Sequence, residues 1–319
     1  MDDQFHYVVS KLKELSQELN RIPTISDLKK ALPRVDPIKL FGSYDNCLRA
    51  AGLLGKLNEP EFIFRQPKIL VIDIETKPLK AYCWGLFDQN ISLDMIIEDW
   101  SVMSWAAKWL GNDHIFYQDL SENDDYTNDE LIIRGIFELL NECDAVLTQN
   151  GKRFDIPKLN AKFVEYKLGL PAPYKHIDTY TIKKKLGLTS KKLEYTTNKF
   201  NEQYKKLKHG KFPGMSLWIE CLKGNKEAWS EMKEYNIHDV LSLEELYVNH
   251  LRKFDSTLNF GVYTGTGGCM NCGSNDLTEK DHSYTRTGAF KTYLCNRCGT
   301  YSTSRNNELS KSIKSRLMK

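Results

Sequence analysis

The chain has 319 residues, of which 41% are hydrophobic, 27% charged and 11% aromatic, proportions that exclude collagenous and intrinsically disordered classes. Lys and Arg number 45 against 42 Asp and Glu, so a net charge of +3 points to no particular partner by itself. The longest aliphatic run, Ile69–Ile72, is far below the roughly 20 residues of a bilayer helix, and the start MDDQFHYVV lacks a basic region followed by an apolar one. A cytoplasmic chain with no membrane partner is expected, and about 100 to 200 residues per domain leaves room for two or three units.

In residues 1–60, Val8, Leu12, Leu15 and Leu19 recur at helical spacing, Pro23-Thr24 with Ser26 marks a second helix start, and Asp45 to Ala51 can form a third helix. The segments Asn20-Arg-Ile-Pro-Thr24, Phe41-Gly-Ser-Tyr44 and Ala50-Ala-Gly52 resemble the homing-endonuclease-associated repeat, with a tyrosine where that family usually has tryptophan after Gly-Ser. The resemblance implies a small helical, DNA-associated module and a phage or mobile-element setting, hence a host cytoplasm. The alternative is a generic helical cap packed on an enzyme. A linker around Asn58-Glu59-Pro60 separates this module from the longer remainder of the chain.

Residues 66–255 read as an α/β domain. Lys68 to Thr76, KILVIDIET, is a β-branched apolar run typical of a buried central strand, except that it holds two carboxylates, Asp73 and Glu75. Alternate residues of a strand share a face, so the two acids project together. Converging buried carboxylates need compensation, which hard divalent cations, magnesium or manganese, provide; a solvent-exposed pair at the strand end is the alternative. From Asp88 to Glu130 eleven acids surround the single base Lys108, and such a stretch would repel phosphates, which places it away from a nucleic-acid channel or in a loop.

Asp144 to Gln149 is strand-like and runs into Asn150-Gly-Lys-Arg-Phe154-Asp155, after which Pro157 and the spacing of Leu159, Phe163 and Tyr166 indicate a helix. Asp155 falls near the helix N-terminus, where capping is its alternative role. Lys183 to Lys211 carries ten lysines and only Glu194 and Glu202, with Tyr195, Phe200, Tyr204 and Phe212 interleaved. Such a stretch can track a phosphate backbone and stack bases, or its aromatic residues can be core. Lys226 to Phe254 forms a long helical pattern in which Tyr235 and Asp239, four apart, share a face while Ile237, Val240, Leu241 and Leu246 supply packing.

Of eight cysteines, Cys47, Cys83, Cys143 and Cys221 stand singly, as in a reducing compartment, while Cys269-Met-Asn-Cys272-Gly273 and Cys295-Asn-Arg-Cys298-Gly299 are paired knuckles. These pairs resemble a zinc ribbon over residues 262–319, two glycine-bearing knuckles at the ends of small β-hairpins around one structural zinc ion. The stretch Gly261–Gly268 precedes it. From Ser256 onward nine bases face four acids, a balance suited to a polyanion.

Asp73-x-Glu75, Asn150 to Asp155 and Tyr235-x-x-x-Asp239, in that order, resemble the DEDDy exonucleases of the RNase H-like 3'-5' exonuclease superfamily, with Asp178-Thr179 in HIDTY matching a stand-alone branch. The resemblance implies an RNase H-like mixed sheet flanked by helices and hydrolysis of nucleic-acid 3' ends to 5'-mononucleotides, with DNA favoured over RNA. It further implies two divalent ions about 4 Å apart, with Asp73 bridging both, Glu75 and Asp239 completing one shell, Asp155 holding the other and Tyr235 orienting water. His238 is a bystander in this scheme. Asn150, Lys183, Lys184, Lys185, Lys191, Lys192, Lys205 and Lys206 are the expected nucleic-acid contacts, and a replication or repair protein is an expected partner of the N-terminal module or the ribbon. Two alternatives stand beside the exonuclease: a single-strand or structure-specific endonuclease with the same metal site, and a DNA-binding regulatory protein whose nuclease module is inactive.

Overall fold

Residues 2–54, 64–205, 207 and 210–318 are described by the computed structural model, in which the chain forms two units, Met1–Ile63 and Phe64–Lys319. Asn58-Glu59-Pro60 and Lys206 lie outside the described residues. Among the described residues no helix is long and apolar enough to cross a membrane.

The first unit contains α1 (Asp2–Leu19), α2 (Ile25–Ala31), α3 (Pro37–Phe41) and α4 (Tyr44–Ala50). Val8, Leu12 and Leu15 of α1 pack with Leu28, Leu32, Cys47 and Leu48, so the predicted periodicity is the buried stripe, while Leu19 is exposed. Thr24 caps α2 through a capping box with Asp27. Helix α3 was not expected. It is too short for periodicity to reveal, but Asp36 caps it through the Ile38 and Lys39 amides, and Pro37 occupies its first turn. The Tyr44 hydroxyl donates to the Pro23 carbonyl at 3.0 Å, tying together the two motif segments that carry them.

The second unit is built on a five-stranded sheet in the order β5-β4-β1-β6-β7. Its strands are β1 (Ile69–Thr76), β4 (Val102–Trp109), β5 (Ile115–Asp119), β6 (Ala145–Thr148) and β7 (Lys175–Asp178); β2 (Lys80–Ala81) and β3 (Ile96–Glu98) pair outside it. β1 is central, antiparallel to β4 and parallel to β6. This is the expected mixed sheet, and helices cover both of its faces. Leu70, Ile72 and Ile74 point to one face, under α5 (Glu130–Glu142) and α6 (Asp155–Glu165). Ile69 and Val71 point to the other, where Val240, Leu243 and Leu246 of α10 (Lys226–Leu246) cover them. Asp73 and Glu75 continue the Ile69–Val71 alternation and therefore face α10. Of the four expected packing residues on α10, Val240 and Leu246 are buried, Ile237 is half-buried against the same cluster and Leu241 is half-buried, while Leu243 joins the core.

The acidic stretch is not a peripheral loop. It contributes β4 and β5, because between its acids run apolar residues such as Val102, Met103, Ala106 and Ala107 that are fully buried. Two of its charges are internal: Lys108 is paired with Glu244 of α10, and Asp129 accepts the Val102 amide at 2.6 Å and is paired with Lys162 at 3.4 Å.

Helices α7 (Thr179–Lys183), α8 (Leu193–Phe200) and α9 (Ser216–Leu222) connect β7 to α10, which continues as a π turn over Tyr247–Leu251 and a 3-10 turn over Arg252–Phe254. Part of the glycine-rich approach to the cysteines is helical, α11 (Phe260–Thr264). Then β8 (Leu277–Thr285), β9 (Gly288–Cys295) and β10 (Tyr301–Asn307) form one three-stranded antiparallel sheet with β9 in the middle, where separate small hairpins were expected; α12 (Lys311–Lys314) ends the chain.

Candidate active site

β1 brings Asp73 and Glu75 to the same end of the sheet as β4, where Glu75 is opposite Ser104. α10 crosses this end and places Asn236, Tyr235 and Asp239 over it. The Asn236 side-chain amide is fully buried; it donates to the Asp73 carboxylate at 2.7 Å and to the Asp73 carbonyl at 3.2 Å. Its own oxygen accepts the Ser104 hydroxyl at 3.1 Å, so the pose of Asp73 is fixed by a relay from β4 through α10.

Asp155 arrives from β6. Phe154 occupies the cap position of α6 without a side-chain cap bond, and Asp155, the first helical residue, sends its carboxylate across to accept the Ile74 amide of β1 at 3.3 Å. The capping alternative is thereby displaced by a contact with the strand that carries the first two acids. The turn that delivers Asp155 is braced by Asp178, whose carboxylate accepts the amides of Asn150 at 2.9 Å, Lys152 at 3.2 Å and Tyr180 at 2.9 Å. Thr179 adds hydroxyl contacts to the Thr148 carbonyl and the Gln149 side chain. The Asp178-Thr179 dipeptide is thus a clamp on the second motif.

The electrostatics show that the four acids face one another. Asp73 is held well above the usual carboxylate range by burial and by the charges of Glu75, Asp239 and Asp155. Glu75 is pushed up to about 8 by burial and then by Asp239 and Asp155, against a hydrogen bond from Trp218 of α9. Asp155 rises to about 7, chiefly by burial, although the amides it accepts favour its ionised form. Burial and the neighbouring carboxylates also raise Tyr235, which hydrogen-bonds Asp239 and meets the Trp218 ring edge-on at 6.1 Å. His238 turns away, its ring nitrogen against the Lys205 carbonyl and its ring beside Tyr204.

Several residues here were not singled out from sequence. Asn236 carries a signal, being polar on the stripe that continues to Val240 and Leu243. Ser104 and Trp218 carry none.

The lysine stretch does not form a continuous basic track. Lys183 is fully buried; its ammonium donates to the Thr196 hydroxyl at 3.2 Å, and burial brings its pKa down to about 7. It cannot meet a phosphate. Lys185 donates to the Phe254 carbonyl at 2.8 Å, Lys191 is half-buried with its carbonyl accepting from Gln149, and Lys211 pairs with Glu227. Phe200 and Phe212 pack against the core clusters. Lys184, Lys192 and Lys205 are exposed. Asn150 is half-buried, with a left-handed backbone at φ 63° and its amide donating to Asp178.

Among the described residues, Cys269, Cys272, Cys295 and Cys298 are the group of potential ligands whose atoms all lie within 4.8 Å of one another. The Cys269–Cys298 and Cys272–Cys295 sulfurs are 3.6 Å apart, close to the roughly 3.8 Å edge of a tetrahedron with 2.3 Å zinc–sulfur arms. Gly273 and Gly299, both at φ 71°, close the knuckles by donating to the carbonyls of Cys269 and Cys295. Burial opposes ionisation of Cys298, yet Thr300 and the Cys272 and Cys269 thiols bring it down to about 6. The four thiols fit a zinc ion.

Residues 104–251 match the model of the RNase H superfamily, and residues 6–54 match that of the homing endonuclease associated repeat. The first match contains Asp155, Tyr235 and Asp239 and begins beyond Asp73 and Glu75, so those two acids join the site by geometry alone. No curated protein matches the chain. Among solved structures, the family B DNA polymerase from the hyperthermophilic archaeon Pyrobaculum calidifontis is similar at 16% identity with a TM-score of 0.44, covering 69% of this chain. The chain spans 31% of that polymerase.

Proposed function

We propose that this chain, whose residues 104–251 match the model of the RNase H superfamily, is a metal-dependent 3'-5' exonuclease of the DEDDy type, with residues 66–255 as its nuclease domain, residues 1–60 as a DNA-associated module and residues 262–319 as a zinc ribbon. The observation that carries the reading is the convergence of Asp73 and Glu75 at one end of β1 with Asp155 held on the Ile74 amide and Asp239 of α10, whose charges, after burial, raise both Asp73 and Glu75: like charges held together in a half-buried cleft are costly unless cations join them. Asp73, Glu75, Asp155 and Asp239 supply hard carboxylate oxygens suited to magnesium or manganese, and four carboxylates balance the charge of two dications. When bound, such ions supply Lewis-acid polarisation of the phosphate and acidify the attacking water.

The chain's own residues do the positioning. Asn236 keeps the Asp73 carboxylate turned into the cleft, the Ile74 amide holds Asp155 against β1, and Trp218 holds Glu75. Tyr235, bonded to Asp239, orients water through its hydroxyl; with its pKa raised it remains a neutral donor at neutral pH and is no general base. DNA is favoured as substrate by the match of residues 6–54 to a homing endonuclease associated repeat.

The test is cleavage of 3'-labelled linear and circular single strands with magnesium, using the parent and the Asp73→Ala and Asp239→Ala variants. Mononucleotide release from linear strands, intact circles and loss of activity in both variants are expected. Cut circles would replace the exonuclease by an endonuclease, and variants as active as the parent would remove the acids from the mechanism.

A further inference from the structure

Between the end of α10 and the cysteine knuckles lies a cavity of about 690 Å³. Three cations line it, Arg252, Lys253 and Arg297, together with the amide side chains of Gln66, Asn249 and Asn271, and no carboxylate does. None of the three cations forms an ion pair with a carboxylate among the described residues, unlike Arg65 with Asp144 or Lys68 with Glu142 on the same unit. Arg252 is fixed in place: its Nε donates to the Asn271 carbonyl at 3.0 Å and its guanidinium lies 4.4 Å over the Phe260 ring. Its two terminal nitrogens, the pair that grips a phosphate bidentately, make no hydrogen bond among the described residues.

Cys272 and Cys298 also border the cavity, so the cations could instead offset the net negative charge of a four-thiolate zinc site. The contacts argue otherwise. The sulfurs take donors from the Asn271 backbone amide, 3.4 Å from Cys269, from the Asn271 side chain, 3.8 Å from Cys298, from Thr300 at Cys298 and from the Ser274 amide at Cys272; among the described residues no hydrogen bond joins Arg252, Lys253 or Arg297 to a sulfur. All three cationic residues border the cavity, Lys253 with its ammonium 5.6 Å over the Phe254 ring.

We infer that this cleft binds a backbone phosphate of the nucleic-acid strand, so that the ribbon holds substrate at a second point outside the acid cluster. The inference rests on the nuclease reading for its ligand, and its chemistry, a phosphate, is shared with free inorganic phosphate. In a strand, each lost phosphate contact flattens the dependence of log affinity on log salt by about 0.7.

The experiment is fluorescence-anisotropy binding of a labelled single strand, over a range of salt, to the full zinc-loaded chain carrying Asp73→Ala so that nothing is cut. Adding Lys253→Ala and Arg297→Ala should lower the salt slope by about 1.4, which amounts to about 25-fold weaker binding at 0.1 M salt. Zinc content, measured by atomic absorption, should not change. An unchanged slope overturns the inference, as does loss of zinc in the double variant, which would assign the cations to the metal. Phosphorus NMR titration with inorganic phosphate separates the sources: phosphate binding lost in the double variant, with strand binding intact, overturns the strand as ligand. Failure of the nuclease reading has its own signature, since the parent would then leave every strand uncut whatever the binding slope.

Discussion

Divalent cation added at two pH values probes the acid cluster directly. Glu75 is raised from an ordinary 4.5 to about 8 and Asp155 from 3.8 to about 7, each first by burial. A carboxyl whose pKa is higher in the folded chain binds its proton more tightly there. Its stabilising contribution is complete below the unfolded value and is lost as pH rises through the folded one. Without added cation these two groups therefore destabilise the fold progressively between about pH 4 and pH 8. His176, lowered to about 4, and Lys183, lowered to about 7, both by burial, act in the opposite sense, adding stability as pH climbs from 4 to 6.5 and from 7 to 10.5 respectively. The clean readout is hence the increment in Tm caused by magnesium, in which those two groups cancel. At pH 6 an acid of pKa about 8 is ionised roughly once in a hundred molecules, at pH 8 in half of them. Proton competition at Glu75 alone thus weakens cation binding roughly fiftyfold at pH 6, or about 2 kcal/mol. For a unit of this size that is about 4 to 8 °C of Tm. Calorimetry with magnesium, after dialysis without chelator so that the thiols keep their zinc, should show a shift larger by that margin at pH 8 and no shift in Asp73→Ala. Equal shifts at the two pH values, or a shift retained in the variant, would refute the reasoning.

Asn236→Ala removes the donor to Asp73 and leaves the buried Ser104 hydroxyl without its acceptor, so urea unfolding should report a loss of about 2 to 3 kcal/mol together with a drop in cleavage; parental stability would mean the relay is unimportant. Tyr235→Phe keeps the ring against Trp218 while deleting the hydroxyl bonded to Asp239; cleavage should fall at least about tenfold, with Tm moving by less than about 2 °C, and a parental rate would deny the hydroxyl its role. The chain should carry one zinc ion, removable by a strong chelator with loss of β8–β10 circular dichroism, and Cys298→Ser should lower the metal content; an ordered ribbon without metal would show that its small core suffices.

Much of this architecture was legible because it rests on period. KILVIDIET announces a central strand, and its alternation fixes that Asp73 and Glu75 share the face of Ile69 and Val71, the face that α10 covers. The four-residue spacing of Tyr235 and Asp239 was sufficient in the same way, as was the glycine after each cysteine pair. Where period is short or absent, legibility ended. Helix α3 spans five residues, and only its Asp36-Pro37 start was available to mark it. Composition could not tell which of Lys183, Lys184 and Lys185 faces outward. Lys183 is the last residue of α7 and falls on its buried side, where burial weakens its charge, while Lys184 and Lys185 follow the helix and are exposed.

The same limit explains the site. Sequence left Asp155 between a helix cap and a ligand because both roles place an acid at the same chain position; what separates them is whether the carboxylate turns back to its own helix or across to β1, and the Ile74 amide is 81 residues away in the chain. Asn236 and Trp218 likewise reach Asp73 and Glu75, partners more than a hundred residues distant. Acids that form a cluster must each be placed by a separate element, and the groups that aim them come from still other elements. An acid cluster is consequently easier to read from sequence than its supports: each acid interrupts a pattern locally, whereas a support interrupts nothing until the sheet and α10 are brought together.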